Sequence, residues 1–247
     1  MKYERADTIL GILNKCKYTT VDHLVRELHY SPATIRRDLI YLESIGLVKK
    51  SYGGVCINDV TRPAFVREHE NIDAKIRICR VAAELINDYD SVFIDGSTTT
   101  YFMNDFLDSK KEIIVTTSNL KLGICLEEKG LDCYVTGGKV VDTNMLSGTY
   151  AVDTINKMNF DICFFSAEAI SDEGLICDKG ELFADLRRTV IKCSKKAVCL
   201  CDSNKLGNSA FLSLASLDDV DYVISDGTFK AELMEKFKDT KFITVKE

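Results

Sequence analysis

From residue 90 onward, short apolar runs alternate with helix-length segments. The runs are Ser91–Ile94, Ile113–Val115, Cys133–Thr136, Ile162–Phe165, Ala197–Cys201, Tyr222–Ser225 and Phe242–Val245. Each has the length of a strand, and none approaches the length needed to span a bilayer. Between most of them lie helical patterns, at Asn119–Lys129, Ala151–Met158, Leu182–Cys193 and Lys230–Phe237. This alternation predicts an α/β domain with a largely parallel sheet. In such folds ligands bind beyond the carboxyl ends of the strands.

Polar, glycine-bearing stretches sit at those ends. Asp95, Gly96, Ser97, Thr98 and Thr99 directly follow the first run and are expected to open a helix. Glycine admits close approach to the backbone, and amides at a helix N-terminus suit a phosphate. Thr116, Thr117, Ser118 and Asn119 follow the second run, and Gly137, Gly138 and Lys139 follow the third. Any one such loop is as readily a plain turn or a helix cap, but repetition at three successive strand ends favours an anion site. Lys205, in the stretch after Ala197–Cys201, supplies a mobile positive charge for a phosphate, carboxylate or carbonyl oxygen, or else decorates a surface turn.

The first sixty residues follow a different pattern. Ala6, Ile9, Leu10 and Leu13 mark a helix from about Tyr3 to Lys15. Thr19 or Thr20 caps a second helix with an apolar stripe at Val21, Leu24, Val25 and Leu28. Ser31-Pro32 reads as the start of a third, with Ile35, Leu39, Leu42 and Ile45 inward and Gly46 as its stop. Ala33, Thr34, Arg36, Arg37 and Tyr41 fall on its other faces. Two helices joined by a short turn, the second carrying Thr and Arg near its N-terminus, match the helix-turn-helix layout. Consecutive arginines diverge by about 100° on a helix, so one reaches a base edge while the other holds a phosphate. Leu47 to Ile57 then reads as a hairpin wing turning at Gly53-Gly54. The DNA-contacting candidates are therefore Thr20, Ser31, Ala33, Thr34, Arg36, Arg37 and Tyr41 on the helices, and Lys49, Lys50, Tyr52, Gly53 and Gly54 on the wing. A small helical domain with a solvated charged face is the rival reading, and the wing tells against it.

Charge supports the division. The net charge of −6 separates into +3 over residues 1–58, with nine Lys/Arg against six Asp/Glu, and −9 over the remainder. That is the asymmetry of a basic reading head on an acidic body. Asn58 to Glu70, charged and carrying Pro63, reads as a connection. The domains are placed at 1–58 and 73–247, with 59–72 as linker. Beyond it, Ile76, Cys79, Ala83 and Ile86 predict a further helix. The ten cysteines show no C-x-x-C pair and several lie inside apolar runs, so reduced thiols acting as small hydrophobes are expected. No metal or cofactor is expected. The N-terminus lacks the apolar stretch of a signal peptide, and a cytoplasmic protein with no membrane partner is expected.

The segment Ser31 to Leu39, followed by Gly46-Leu47 and Tyr52-Gly53-Gly54-Val55, resembles the signature of the DeoR family of sugar-metabolism repressors. Asp95 to Thr99, Thr116 to Leu120, Gly137-Gly138 and Asp202 to Gly207 resemble its sensor motifs, so the likeness runs along nearly the whole chain. The resemblance implies a sensor domain similar in fold to ribose-5-phosphate isomerase and glucosamine-6-phosphate deaminase, with a phosphorylated sugar or related metabolite as effector. Two departures stand out. Ser166-Ala167-Glu168-Ala169-Ile170 replaces a Gly-Ala-Asp-Gly-Ile type segment, so Glu168 keeps a carboxylate but lengthens it. Phe183 stands where relatives often carry glutamate.

The resulting expectation is a transcription repressor of a carbohydrate operon, with a double-stranded DNA operator and a phosphorylated sugar as partners, acting as a homodimer or homotetramer and not as an enzyme. The first alternative is a sugar-phosphate isomerase or deaminase carrying a DNA-binding head, with Glu168, Asp178, Lys179, Glu181 and Lys205 as possible actors. A thiol or metal sensor rests on the cysteine count alone.

Overall fold

In a computed structural model of the chain, residues 2–44, 47–51, 53–57, 67–68, 70–107, 112–142 and 144–246 are described. Ile45, Gly46, Tyr52 and most of the expected linker, including Pro63, lie outside the described residues. The chain divides into two compact units, residues 1–70 and 71–247.

The first unit contains α1 (Lys2–Cys16), β1 (Tyr18–Thr19), α2 (Val21–Leu28), α3 (Pro32–Ser44), β2 (Val48–Ser51) and β3 (Gly54–Ile57). The apolar stripes of all three helices meet in one cluster built on Ile9, Leu13, Leu24, Ile35 and Leu42. Thr20, rather than Thr19, caps α2 by accepting from the His23 amide at 3.2 Å. His29 ends that helix in the left-handed conformation, and Ser31 caps α3 by accepting from the Thr34 amide at 3.2 Å. The hairpin has a partner the sequence did not announce. β1 pairs with β3, giving a three-stranded sheet in the order β1-β3-β2. That pairing explains Gly54, because a Cβ there would lie 2.4 Å from the Thr19 carbonyl oxygen.

The second unit opens with α4 (Ile72–Ala83) and is organised by one seven-stranded sheet. Its strands are β4 (Ser91–Ile94), β5 (Ile114–Thr117), β6 (Asp132–Val135), β9 (Ile162–Phe165), β12 (Ala197–Leu200), β14 (Tyr222–Ser225) and β15 (Lys241–Thr244), and every neighbouring pair is parallel. All seven expected strands are present, with ends shifted by a residue or so. The four expected helices are α5 (Leu120–Glu128), α6 (Thr149–Ile155), α7 (Glu181–Lys192) and α8 (Ala231–Lys236).

Successive strand residues face opposite sides of a sheet, and here both sides are buried. Phe93, Cys163, Phe165 and Cys199 enter one apolar cluster, while Val92, Ile94, Ile162, Phe164 and Val198 enter the other. Half of the ten thiols, at Cys79, Cys163, Cys177, Cys199 and Cys201, are buried and none forms a disulfide; Cys16 is exposed and the other four are half-buried. Burial pushes the Cys163 and Cys199 thiols up to about 12, as expected of packing rather than reactive groups.

Three features went unread in the sequence. β7 (Lys139–Val141) and β8 (Met145–Ser147) form a hairpin, and β10 (Ala169–Ile170), β11 (Leu175–Asp178) and β13 (Leu212–Ser216) form a small antiparallel sheet. The helix expected after Asp95 is a 3-10 segment, Thr100–Phe106. Among the described residues, no helix is long and apolar enough to cross a membrane.

The sheet order is β15-β14-β12-β9-β4-β5-β6. The chain runs outward from β4 in one direction and from β9 in the other, so these two central strands form the switch point at which a parallel sheet opens a crevice. At the opposite, amino end of the same pair, Asp161 accepts from the Ser91 amide at 2.9 Å, the Ser91 hydroxyl at 2.7 Å and Lys195 Nζ at 2.7 Å. The Lys195 hydrogen bond, then those from Ser91, hold the Asp161 carboxyl down at about 2. A depressed carboxyl stabilises the fold above its unfolded value, near 3.9, and loses that contribution as pH falls through the folded value. The stability gap between the parent and Asp161→Asn is therefore expected to be full above about pH 4 and to close towards pH 2. Urea unfolding across that range measures it, and a gap independent of pH would refute the assignment.

Candidate DNA-reading face and effector site

On α3 the side chains of Ala33, Arg36, Arg37, Ile40 and Ser44 are exposed, while Ile35, Asp38, Leu39 and Leu42 are buried. Thr34 and Tyr41 sit half-buried on the flanks, and the Thr34 hydroxyl is engaged with the Ser31 cap at 2.9 Å. Asp38 anchors the helix from behind. Arg5 on α1 donates to both of its oxygens, through Nη2 at 3.0 Å and through Nε, a two-pronged pairing that fixes orientation as well as distance. The Arg5 guanidinium also lies 4.8 Å from the centre of the Tyr30 ring in the turn. On the wing, Lys49 and Lys50 are exposed, and Lys50 is paired with Glu43 of α3 at 2.5 Å, which ties β2 to the helix. Gly53 takes φ +77, a left-handed conformation that favours glycine.

In the α/β unit the parallel sheet brings the polar loops to one edge. The loop after β4 is built around Asp95, which is fully buried. Its Oδ1 accepts from the Ser97 amide at 3.0 Å and the Thr100 hydroxyl at 2.6 Å; its Oδ2 accepts from the Ser166 amide at 3.2 Å and Arg187 Nε at 3.0 Å. A carboxylate offers about four lone-pair sites, and these are taken. Asp95 thus shapes the loop from beneath rather than facing a ligand. Gly96 is bare because a Cβ would press on the Met145 side chain at 2.4 Å. Asn119 links the second loop to the first. Its Oδ1 caps α5 through the Leu122 amide at 3.1 Å and its Nδ2 reaches the Gly96 carbonyl at 3.5 Å. Thr116 lies deeper, within β5, with its hydroxyl against the Met158 sulfur at 3.9 Å. Thr117 accepts from the Asn119 amide at 3.1 Å. Gly137, Gly138 and Lys139 are exposed beyond β6. Two hydroxyls in the adjoining loops, Thr99 Oγ1 and Ser118 Oγ, are buried with no hydrogen-bond partner among the described residues.

Across the switch point, Ser166 follows β9. Its hydroxyl accepts from Lys205 Nζ at 3.0 Å, and Lys205 also lies 3.7 Å from Asp202. Glu168 is ion-paired with Lys179. Lys75 on α4, almost wholly buried, donates to the Thr98 hydroxyl at 3.3 Å. Arg187 on α7 bridges Asp95 and Asp178. Burial works to lower its pKa, but Asp95 and then Asp178 outweigh that, so the guanidinium is held above its ordinary value. Neither Lys75 nor Arg187 was singled out in the sequence as a site residue. The signal was present, since each is a cation on an otherwise apolar helical stripe: Lys75 with Cys79 and Ala82, Arg187 with Ala184 and Val190. Among the described residues, no three His, Cys, Asp or Glu side chains converge to hold a metal ion.

A winged helix-turn-helix joined to an α/β domain with polar strand-end loops is the build of a DNA-binding regulator with a sensing domain. Residues 5–61 match the DeoR-like helix-turn-helix domain, and residues 70–227 match the DeoR C-terminal sensor domain. The chain belongs to the DeoR family of transcription regulators. It is 31% identical to the HTH-type transcriptional regulator GlpR of Haloferax volcanii, over 95% of this chain and 94% of that protein. It is 28% identical to the HTH-type transcriptional repressor GlcR of Bacillus subtilis, over 90% of this chain and 88% of that protein. Among solved structures it is similar to ribose 5-phosphate isomerase A of Methanocaldococcus jannaschii, at 13% identity and a TM-score of 0.42, covering 56% of this chain and 55% of that one. The chain spans about half the length of that solved structure. Family membership places it among regulators and not enzymes.

Removing the Arg187 guanidinium strands two buried carboxylates. Arg187→Met is expected to cost about 3–5 kcal/mol of unfolding free energy, with part recovered when Asp178→Asn is added. Urea denaturation followed in the α/β domain tests this, and a loss under about 1 kcal/mol would show the cluster to be dispensable.

Proposed function

We propose that this chain represses a carbohydrate operon and is controlled by a phosphorylated sugar bound at the β4/β9 switch point. The observation that carries the effector half is the pair of buried, unpartnered hydroxyls, Thr99 Oγ1 and Ser118 Oγ, in the loops that follow β4 and β5. Buried polar atoms are nearly always satisfied, so an unsatisfied pair in adjoining loops fits a site that completes its hydrogen bonding with an oxyanion. On this reading Gly96, Ser97, Thr98, Thr99, Ser118 and Asn119 hold the phosphate. Lys205, Ser166 and Glu168 face the sugar, and Asp95 positions the loop. Gly137, Gly138 and Lys139 form an outer rim. Residues 1–58 form the reading head and 73–247 the sensor. Repression is supported by GlcR, a repressor by name, and a paired assembly by the usual two half-sites of helix-turn-helix proteins. An effector shifts such an equilibrium only as far as it prefers one state over the other.

Fluorescence anisotropy on the chain's own upstream DNA, with hexose and pentose phosphates set against the free sugars, tests the proposal. A phosphorylated sugar is expected to shift the DNA titration and its unphosphorylated partner to leave it in place. Lys205→Ala is expected to weaken the effector response at least tenfold, about 1.4 kcal/mol, with unliganded DNA affinity unchanged. DNA binding indifferent to every phosphorylated sugar would defeat the sensing half. Within the head, Arg36→Ala and Arg37→Ala are each expected to weaken operator binding. The base-reading arginine should cost about 1–3 kcal/mol and relax one operator position. Uniform weakening across all sequences by both variants would make both phosphate contacts.

A further inference from the structure

The outward stripe of α3 runs Ala33, Arg37, Ile40 and Ser44, with Arg36 beside it. These positions, at i, i+4, i+7 and i+11, share one helical face. Ile40 is the large apolar member of that face and is 57% exposed. A lone exposed isoleucine on a solvated surface means nothing by itself. Ile40, however, sits one turn beyond both arginines. With Arg36, Lys50, Gly53 and Gly54 it also lines a groove of about 280 Å3 between α3 and the wing. The floor of that groove is apolar, at Val21 and Val48, while its charged lining residues are both basic. Such a groove fits a polyanion that presents an apolar group between its phosphates. In the major groove of duplex DNA the apolar group on a base edge is the C5 methyl of thymine.

We infer that Ile40 is a specificity-determining residue that reads a thymine methyl group. The inference rests on the reading that α3 enters the major groove. Four residues separate Ile40 from Arg36, about 6 Å along the helix at 1.5 Å per residue. Arg37 is three residues away, so at about 3.4 Å per base pair the thymine lies within about two base pairs of the position read by the base-contacting arginine, Arg36 or Arg37. Tyr41, half-buried on the flank, is less well placed for a base edge than Ile40.

The test uses the full-length chain and a duplex that it enriches from a random pool. Each thymine of a half-site is replaced in turn by deoxyuridine, which removes only the methyl group, and affinity is read by anisotropy for the parent, Ile40→Ala and Ile40→Val. One replacement is expected to weaken the parent about fourfold, the worth of one buried methyl-sized group. The same replacement should leave Ile40→Ala unaffected, and Ile40→Val should keep most of the parent's sensitivity. Matching melting temperatures for the three proteins exclude a folding cause. The inference is overturned if no deoxyuridine position separates the parent from Ile40→Ala. It is equally overturned if the sensitive thymine lies more than about three base pairs from the position relaxed by whichever of Arg36→Ala and Arg37→Ala relaxes one. A pool that yields no enriched duplex overturns the DNA-reading assignment itself, and this inference with it.

Discussion

One buried guanidinium holds the strand-end edge of the α/β domain together. Arg187 reaches from α7 to Asp95, at the end of β4, and to Asp178, at the end of β11. Asp95 in turn accepts from the Ser166 amide, at the end of β9. A single cation thereby joins three strand ends and one helix. The cluster holds two carboxylates for one guanidinium, an imbalance that in a dry interior is costly. Backbone and hydroxyl donors offset it: the Ser97 and Ser166 amides and the Thr100 hydroxyl on Asp95, and the Lys179 amide on Asp178 at 2.7 Å. The position of the loop after β4 is therefore a consequence of where α7 packs. Loop residues that carry no charge can remain open to a ligand because charge balance is handled beneath them.

This division of labour explains how much of the molecule was legible from the sequence. The central strands β4, β9 and β12 were readable because both of their faces are buried and each reads as an apolar run. The edge strands β6 and β15, largely exposed or half-buried, were readable instead from their length and their place between helical segments. Helices α1 to α3 were readable because their stripes are wide and their caps, Thr20 and Ser31-Pro32, are of the expected chemistry. What stayed hidden has short or borrowed order. β1 and β10 are two residues each and exist through pairing with β3 and β11. The 3-10 segment after Thr99 looks helical in sequence, yet the Thr100 hydroxyl turns back onto Asp95 and the Asp95 carbonyl at its start.

The candidate site divides along the same line. Residue type and position after a strand located its loops but did not separate residues that support from residues that face outward. Asp95 has the chemistry of a ligand-binding carboxylate and is consumed internally. Thr116 belongs to the strand rather than to the loop. Arg187 and Lys75, whose charges converge on that loop, come from helices about ninety and twenty residues away in sequence. Only the packing of α7 and α4 against the sheet brings them there. On the head, Ile40 was passed over because an apolar residue on a helix is ordinarily assigned inward, whereas the stripe geometry of α3 turns it out.

The departure at residues 166–170 also takes on a physical meaning. A glycine at position 166 would keep the amide that reaches Asp95 but would supply no hydroxyl. Ser166 supplies one, and Lys205 spends a hydrogen bond on it at 3.0 Å. The long, flexible ammonium is thereby drawn towards the switch point instead of ranging through solvent, and Asp202 at 3.7 Å restrains it further. Glu168, one methylene longer than aspartate, is met by Lys179, so its charge is balanced before any ligand arrives. On the proposed reading, the loops after β4 and β5 recognise the phosphate of the effector. The Ser166–Lys205 and Glu168–Lys179 pairs then form the wall that distinguishes one sugar from another. A ligand that engages Lys205 displaces the Ser166 hydroxyl, while the Asp202 carboxylate 3.7 Å away remains beside the same ammonium. On the proposed reading, Lys205 then turns from Ser166 to an effector oxygen without leaving Asp202, so the hydroxyl is the only partner it exchanges.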